Sequence, residues 1–416
     1  MSRNTTITNS LKVSDRNPIE KLILDPSKLR AIFRKYPMLP YAGVRDNSRD
    51  GLLNLLYDMY ELSPTHGSCI NSILDFIVGD GIMFAKITDE YIGLNDTPIN
   101  DNLKTVFADL FRGKVNGNFY DLSNNVALDF MKTGNGYINL VLIETLGVRS
   151  FFIESIQQLH IRRLMEFGNV LDEYVISEYL ADDNYLMKYP PRFVAKYPNF
   201  TETERGLETI IQIKEGQNVY GRPDWLCSLY NQYAEFSVLD SRIKAAANDF
   251  LPRVLIESEQ GDPNAPKGLL DVDDYESNFT NKSDNPLMAV FSERPHGTGK
   301  MEVVQIKPTG GEGFIRTIND IDEAKIIGSH RWSKKLLGHE VKAGIGGTDI
   351  EQELTIRKTM IFKKRNKIAN GINTAIRECT NWIGAAELQD VGIWYYSNLL
   401  DAEKKEDTTE KDVNDI

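Results

Sequence analysis

The chain has 416 residues, 41% hydrophobic and 26% charged, with a formal net charge of -12. That length exceeds what one hydrophobic core usually serves, so two or more subregions are expected. The acidic balance argues against a surface that grips nucleic acid everywhere, because tight phosphate binding needs a basic face, but it does not exclude a protein that lets DNA pass.

No apolar run reaches bilayer-spanning length, and the polar start MSRNTTITNSLKVSDRNPIE lacks the apolar stretch of a signal peptide. The expectation is a protein made and kept in a cytoplasm, or in something assembled there, with no membrane partner. Cys69, Cys227 and Cys379 are far apart and form no CxxC pair. They read as plain buried thiols, not as a disulfide framework or a zinc site.

In chain order, residues 1–20 are polar and offer little to anchor a core. GLLNLLYDMYE, from Gly51, carries Leu52, Leu55, Leu56 and Met59 at helical spacing, and Ser63-Pro64 breaks it. A second helix follows in HGSCINSILDFIVG, with Gly79 and Gly81 at its end. Residues 82–170 read as mixed α and β, with a helix over Leu122–Lys132 and a turn into a strand over Thr133–Glu144. Ser155–Leu164 reads as extended or weakly helical, and 181–220 as loops and short strands around Pro190, Pro191 and Pro198.

Pro223 suits a first helical position, and no Gly or Pro follows up to Phe250. Trp225, Leu229, Tyr233, Phe236, Leu239, Ile243, Ala246 and Phe250 then predict one helix of about 40 Å. Residues 251–308 read as a small β-rich insertion, with strands at Arg253–Ser258, Leu287–Ser292 and from Met301. Helix returns over 315–337. Gly338–Asp349 is glycine-rich and without hydrophobic pattern. Ile350–Ile383 is a second long helix, striped by Leu354, Ile361, Ile368, Ile372, Ala375, Cys379 and Ile383. The tail is charged and mainly acidic.

Catalytic motifs find no support. In HGTGKM, Arg294 stands where a P-loop needs its first glycine, and Met301 stands where Ser or Thr would bind magnesium. Gly310-Gly311-Glu312-Gly313 lacks the third glycine of a dinucleotide turn. Asp271, Asp273 and Asp274 could hold a metal ion, but with no histidine nearby a solvated acidic loop accounts for them. None of the five histidines forms HxH or HxxxH. No enzymatic activity, cofactor or metal is expected. Arg357, Lys358, Lys363, Lys364, Arg365 and Lys367 lie within eleven residues that contain no acid. They form either a helix facing DNA or an acidic neighbouring subunit, or a solvated basic face. The glycine-rich loop, with Lys342 as its one cation, is either a connector or a mobile contact loop.

Four segments, in this order, carry a resemblance. They are SPTHGSCINSILDFIVGDGI, TGNGYINLV, YGRPDWLCSLYNQYAEFSVLDSRI and LLGHEVKAGIGGTDIEQELTIRKTMIFKKRNKIANGIN. The chain resembles the portal protein family of tailed bacteriophages along nearly its whole length. The resemblance implies an α+β fold built as a homo-dodecameric ring at the portal vertex of a virion capsid, assembled in the host cytoplasm. DNA would be packaged and ejected through its channel.

The resemblance further implies a wing (1–222), stem helices (223–250 and 316–337) and a clip (251–315). A tunnel loop (338–350), a tunnel helix returning to the wing (351–383) and a short crown with an acidic tail (384–416) would follow. Lys342, Ala343, Gly344, Ile345, Gly346 and Gly347 would line the channel. The clip, near Asp262, Asp271, Asp273 and Asp274, would meet the large terminase subunit and afterwards a head-completion or connector protein. Major capsid and scaffolding proteins would be further partners. Another structural head protein, such as a scaffold or minor capsid protein, is the alternative. A metal-dependent DNA-processing enzyme is the remoter one.

Overall fold

The computed structural model describes residues 38–41, 51–86, 101–178, 191–247, 254–259, 290–294, 303–305, 312–338, 348–397 and 400. Helices and strands are mixed along the chain, which divides into two compact units, Met1–Cys227 with Ile327–Ile416, and Ser228–Ile326.

The larger unit opens with helix α1 (Gly51–Leu62) and helix α2 (Pro64–Val78). Between them Ser63 accepts the His66 N–H as an N-cap, and Pro64 occupies the first turn, where its missing N–H costs nothing. Gly79 closes α2 at φ +72°, and strand β1 (Gly81–Lys86) follows. Helix α3 (Asp101–Phe111), which the sequence reading had not singled out, brings Phe107 and Phe111 into the core. Helix α4 (Phe119–Thr133) is capped by Asn118 at its start and by left-handed Gly134 at its end.

Strands β2 (Asn135–Thr145), β3 (Val148–Ile156), β4 (Ile161–Glu166), β5 (Asn169–Ile176), β6 (Arg192–Lys196), β7 (Thr201–Thr203) and β8 (Gly206–Lys214) form one sheet. Its order is β3-β2-β8-β6-β5-β4, with β7 added against β8. All pairs are antiparallel except β6 with β8. The Ser155–Leu164 segment is the end of β3, a single 3-10 turn and the start of β4. The 181–220 region holds the nine-residue β8, a longer strand than its prolines and aromatics suggested.

The first eight residues of β2, Asn135–Leu142, are all buried, so this strand is covered on both faces and its side chains do not alternate between buried and exposed. Ile138, Leu140 and Leu142 of β2 join the main core with the helices, while Tyr137 points to a smaller cluster with Ile161, Tyr174, Ile176, Val194 and Ile210. After the smaller unit, helix α7 (Thr348–Ile383) lays its stripe Ile361, Ile368, Ile372, Ala375 and Cys379 into the main core. Gly371 permits that approach, since a Cβ there would stand 2.4 Å from Ile213 Cδ1. Strand β12 (Val391–Tyr396), within the segment expected to form a crown, pairs antiparallel with β1.

The smaller unit contains helix α5 (Leu229–Ala247), strands β9 (Val254–Glu259), β10 (Val290–Arg294) and β11 (Val303–Gln305), and most of helix α6 (Glu312–Ser329). β9 is central, parallel to β10 and antiparallel to β11. Asn231 of α5 donates to Asp322 of α6 at 2.8 Å. Tyr230, Tyr233 and Ile243 of α5 are exposed.

Of the three cysteines expected to be buried, Cys227 is exposed, because it lies on the outer side of the 3-10 turn that precedes α5. The start of α5 and the end of α6 differ most from expectation. Residues 224–228 form a 3-10 turn, so α5 begins at Leu229 instead of Pro223, and its described part, Leu229–Ala247, is about 28 Å long. Trp225 leaves the helical stripe because its indole is buried in the larger unit and donates to Met131 O at 2.7 Å. Likewise α6 stops at Ser329. Arg331 adopts φ +54°, and His330 and Trp332 are both buried in the larger unit.

Candidate functional site

The α4–β2 turn and the segment before the 3-10 turn, 86 residues apart, form one clasp. Asn135 is fully buried. Its Oδ1 accepts the Gly221 N–H at 2.6 Å and Gln212 Nε2 at 3.1 Å, while its Nδ2 donates to Gly221 O at 3.2 Å. The Asn135 amide thereby copies the pairing of a β-bridge with a side chain. The Tyr41 hydroxyl lies 2.5 Å from Thr133 O and 3.2 Å from Gly221 O. Tyr220 OH donates to Leu39 O and accepts the Arg163 N–H.

The approach needs two glycines. A Cβ on Gly221 would stand 2.0 Å from Gly134 O, and one on Gly134 would stand 2.5 Å from the Arg222 carbonyl carbon. Gly134 also sits at φ +77°, a backbone region that L side chains rarely adopt.

Beside the clasp, both stretches of chain next to the smaller unit are fixed by aromatics. The Trp225 ring meets His66 edge-on at 4.1 Å between centroids and stacks on His330 at 5.9 Å. His66 Nδ1 and His330 Nε2 share a hydrogen bond of 2.8 Å. Trp332 Nε1 donates to Ser72 at 3.1 Å. Burial, reinforced by the partner histidine and Lys132, pushes His66 down to about 2. Burial and then Lys364 push His330 down to about 3. Both rings are therefore neutral at ordinary pH, and two adjacent imidazoles can share a single proton-donating bond without repulsion.

A second buried network lies under α1 and α4. Tyr57 OH donates to Asp129, which also accepts the Gln158 N–H at 2.8 Å. Burial raises the Asp129 carboxyl to about 7, although Tyr57, Gln158, Lys132 and Arg162 all pull it down. The Lys132 ammonium lies 3.5 Å from the Tyr60 ring centroid.

Most of the basic run on α7 has partners inside this unit. Arg357 donates to the carbonyls of Arg331 and Trp332 and pairs with Glu353. Lys364 meets Asp224 at 3.1 Å and lies over Phe130. Arg365 is fully buried, with Nε donating to Phe76 O at 2.9 Å. Lys367 pairs with Glu215 at 2.7 Å. Lys358 lies 5.8 Å from the Phe362 ring centroid, and Lys363 is exposed. The sequence had offered either a solvated face or a contact face, yet four of the six cations fasten α7 to neighbouring segments.

The tunnel-loop candidates Lys342, Ala343, Gly344, Ile345, Gly346 and Gly347 lie outside the described residues, as do Asp262, Asp271, Asp273 and Asp274. Among the described residues no group of three or more His, Cys, Asp or Glu is placed to hold a metal ion. No described helix is long and apolar enough to cross a membrane.

No protein-family model matches the sequence, and no curated protein matches it. Solved structures do match. A chain of the "Virion of native gene transfer agent (GTA) particle" aligns over 88% of this chain and 89% of its own, with TM-score 0.51 and 10% identity. The fold is shared with a virion chain. A chain of the "Neck of native GTA particle computed with C12 symmetry" aligns over 86% of this chain and 89% of its own, with TM-score 0.50 and 9% identity. At such identities the likeness is one of fold. Its span takes in nearly all of both chains and therefore both units.

Sequence reasoning quoted TGN and YGRP as separate motifs. Their contact had no local signal, because it joins positions far apart in the chain. His66 and His330 carried no signal at all.

Proposed function

We propose that the chain is a portal protein, one subunit of a closed ring at a capsid vertex of a tailed-phage-like particle. The observation that carries this reading is the nearly full-length fold likeness to chains of a gene transfer agent virion and of a neck computed with C12 symmetry. In this reading the larger unit is the wing, α5 and α6 are the stem helices, and the three-stranded sheet belongs to the clip. The segment from 338 up to α7 is the tunnel loop, shorter than the expected 338–350 because α7 already begins at Thr348, and α7 is the tunnel helix.

The function is mechanical. A net charge of -12 per subunit repels the DNA backbone and keeps the duplex moving on the axis, whereas a basic channel would bind phosphates and slow it. Lys342 touches the backbone transiently. The clip docks the large terminase subunit during packaging and a head-completion or connector protein afterwards. The clasp around Asn135 and Gly221 and the Trp225–His330 stack hold the wing ends of both stem segments rigid.

Lys342→Ala tests the DNA contact. Reduced DNA retention in packaged particles is the expected result, and unchanged packaging and retention remove that role. Ring formation by the purified protein tests the reading as a whole.

A further inference from the structure

We propose that two hairpin tips, Leu146-Gly147 and Phe167-Gly168, are the points at which each copy grips its neighbours, each tip seating its apolar side chain in a different adjacent copy. This inference rests on the ring reading above.

Both tips are two-residue turns with positive φ at both positions, +53° and +81° for the first and +48° and +84° for the second. Such turns take Asn, Asp or Gly at the first position by preference. Leu and Phe there bring Cβ against the neighbouring carbonyl. Their side chains recover nothing within the chain, since Leu146 is 101% exposed and Phe167 92%. Val148, beside the first tip, is 69% exposed. Two separate turns thus carry a large apolar residue in a backbone conformation that disfavours it and at a place where it buries no surface. The β7–β8 turn in the same sheet carries Glu204-Arg205 instead.

The placement of the tips identifies the occupant. The hairpins β2–β3 and β4–β5 are the two outer pairs of the sheet, about 24 Å apart edge to edge at the usual strand spacing. Following the pairings, β4 runs opposite to β2, so the two tips lie at opposite ends as well as opposite edges. One flat surface, whether a membrane or a capsid face, cannot receive both together. A head-to-tail contact that closes into a ring needs two different patches on opposite sides of the subunit, which is this arrangement.

The test uses full-length Leu146→Asn, Phe167→Asn and the double variant, with Leu146→Met and Phe167→Leu as apolar controls. Assembly is followed by native mass spectrometry across protein concentration, and the melting temperature of the unassembled chain is measured beside it. Asn suits these turns, so melting is expected to stay or rise. The concentration for half-assembly is expected to rise about tenfold or more per Asn substitution, as for an exposed anchor losing its burial. The apolar controls keep wild-type assembly. Asn variants that assemble like wild type overturn the tip proposal and leave the ring reading standing, and so do Asn variants that melt lower, because the side chain then serves the fold. A wild-type chain that forms no ring overturns both.

Discussion

Gly221 is the position where the least change should do the most damage. An added methyl would meet the Gly134 carbonyl at 2.0 Å, and that carbonyl is already held by the Glu215 N–H. Gly221→Ala should cost about 2–4 kcal/mol, the scale of overpacking combined with a broken buried network. Gly328→Ala is the control. It sits in α6 with open space around it, and it should be neutral or stabilising by up to about 1 kcal/mol. Denaturant unfolding of both variants checks the contrast.

The histidine pair belongs to the same scale. Its folded-state affinity for protons is depressed, so it contributes stability above about pH 6.5 and loses it as pH falls below that value. Each ring should remove about 1.4 kcal/mol per pH unit in that descent. Asp129, raised to about 7, works the other way, favouring the fold as pH falls from 7 towards its unfolded value near 4. Wild type should therefore lose stability between pH 6.5 and 4.5 more steeply than His330→Gln, which has one titrating ring fewer. Parallel slopes in urea melts at those pH values would contradict the neutral pair.

At the scale of elements, α7 is fastened by its cations. Arg365→Met leaves the Phe76 carbonyl without its buried donor and should cost about 1–3 kcal/mol, whereas exposed Lys363→Ala should stay within about 0.5 kcal/mol. Equal melting of the two would contradict a fastening role for Arg365. Most of the helices, though not α3, and the strands β9–β11 were legible because periodicity and turn residues act locally. The β9–β11 strands begin within one to three residues of where β-branched runs placed them. The start of α5 was not legible. Trp225 continues the apolar spacing of α5, and only a tertiary slot beneath Met131 pulls it out of register. His330 and Trp332 mislead in the same way at the end of α6. Spacing shows that a residue is apolar on one face, but not which body that face belongs to.

At the scale of the whole molecule, a 416-residue chain divided into two units and carrying exposed Tyr230, Tyr233 and Ile243 on α5 offers surface that a neighbouring copy would bury. The portal reading turns on whether copies close into a ring. Native mass spectrometry of the purified protein, with negative-stain images of the same sample, measures that directly. The account predicts a closed particle of about 566 kDa, twelve copies of 47.2 kDa, with an axial hole. A monomer or dimer at every concentration and salt tried would contradict it.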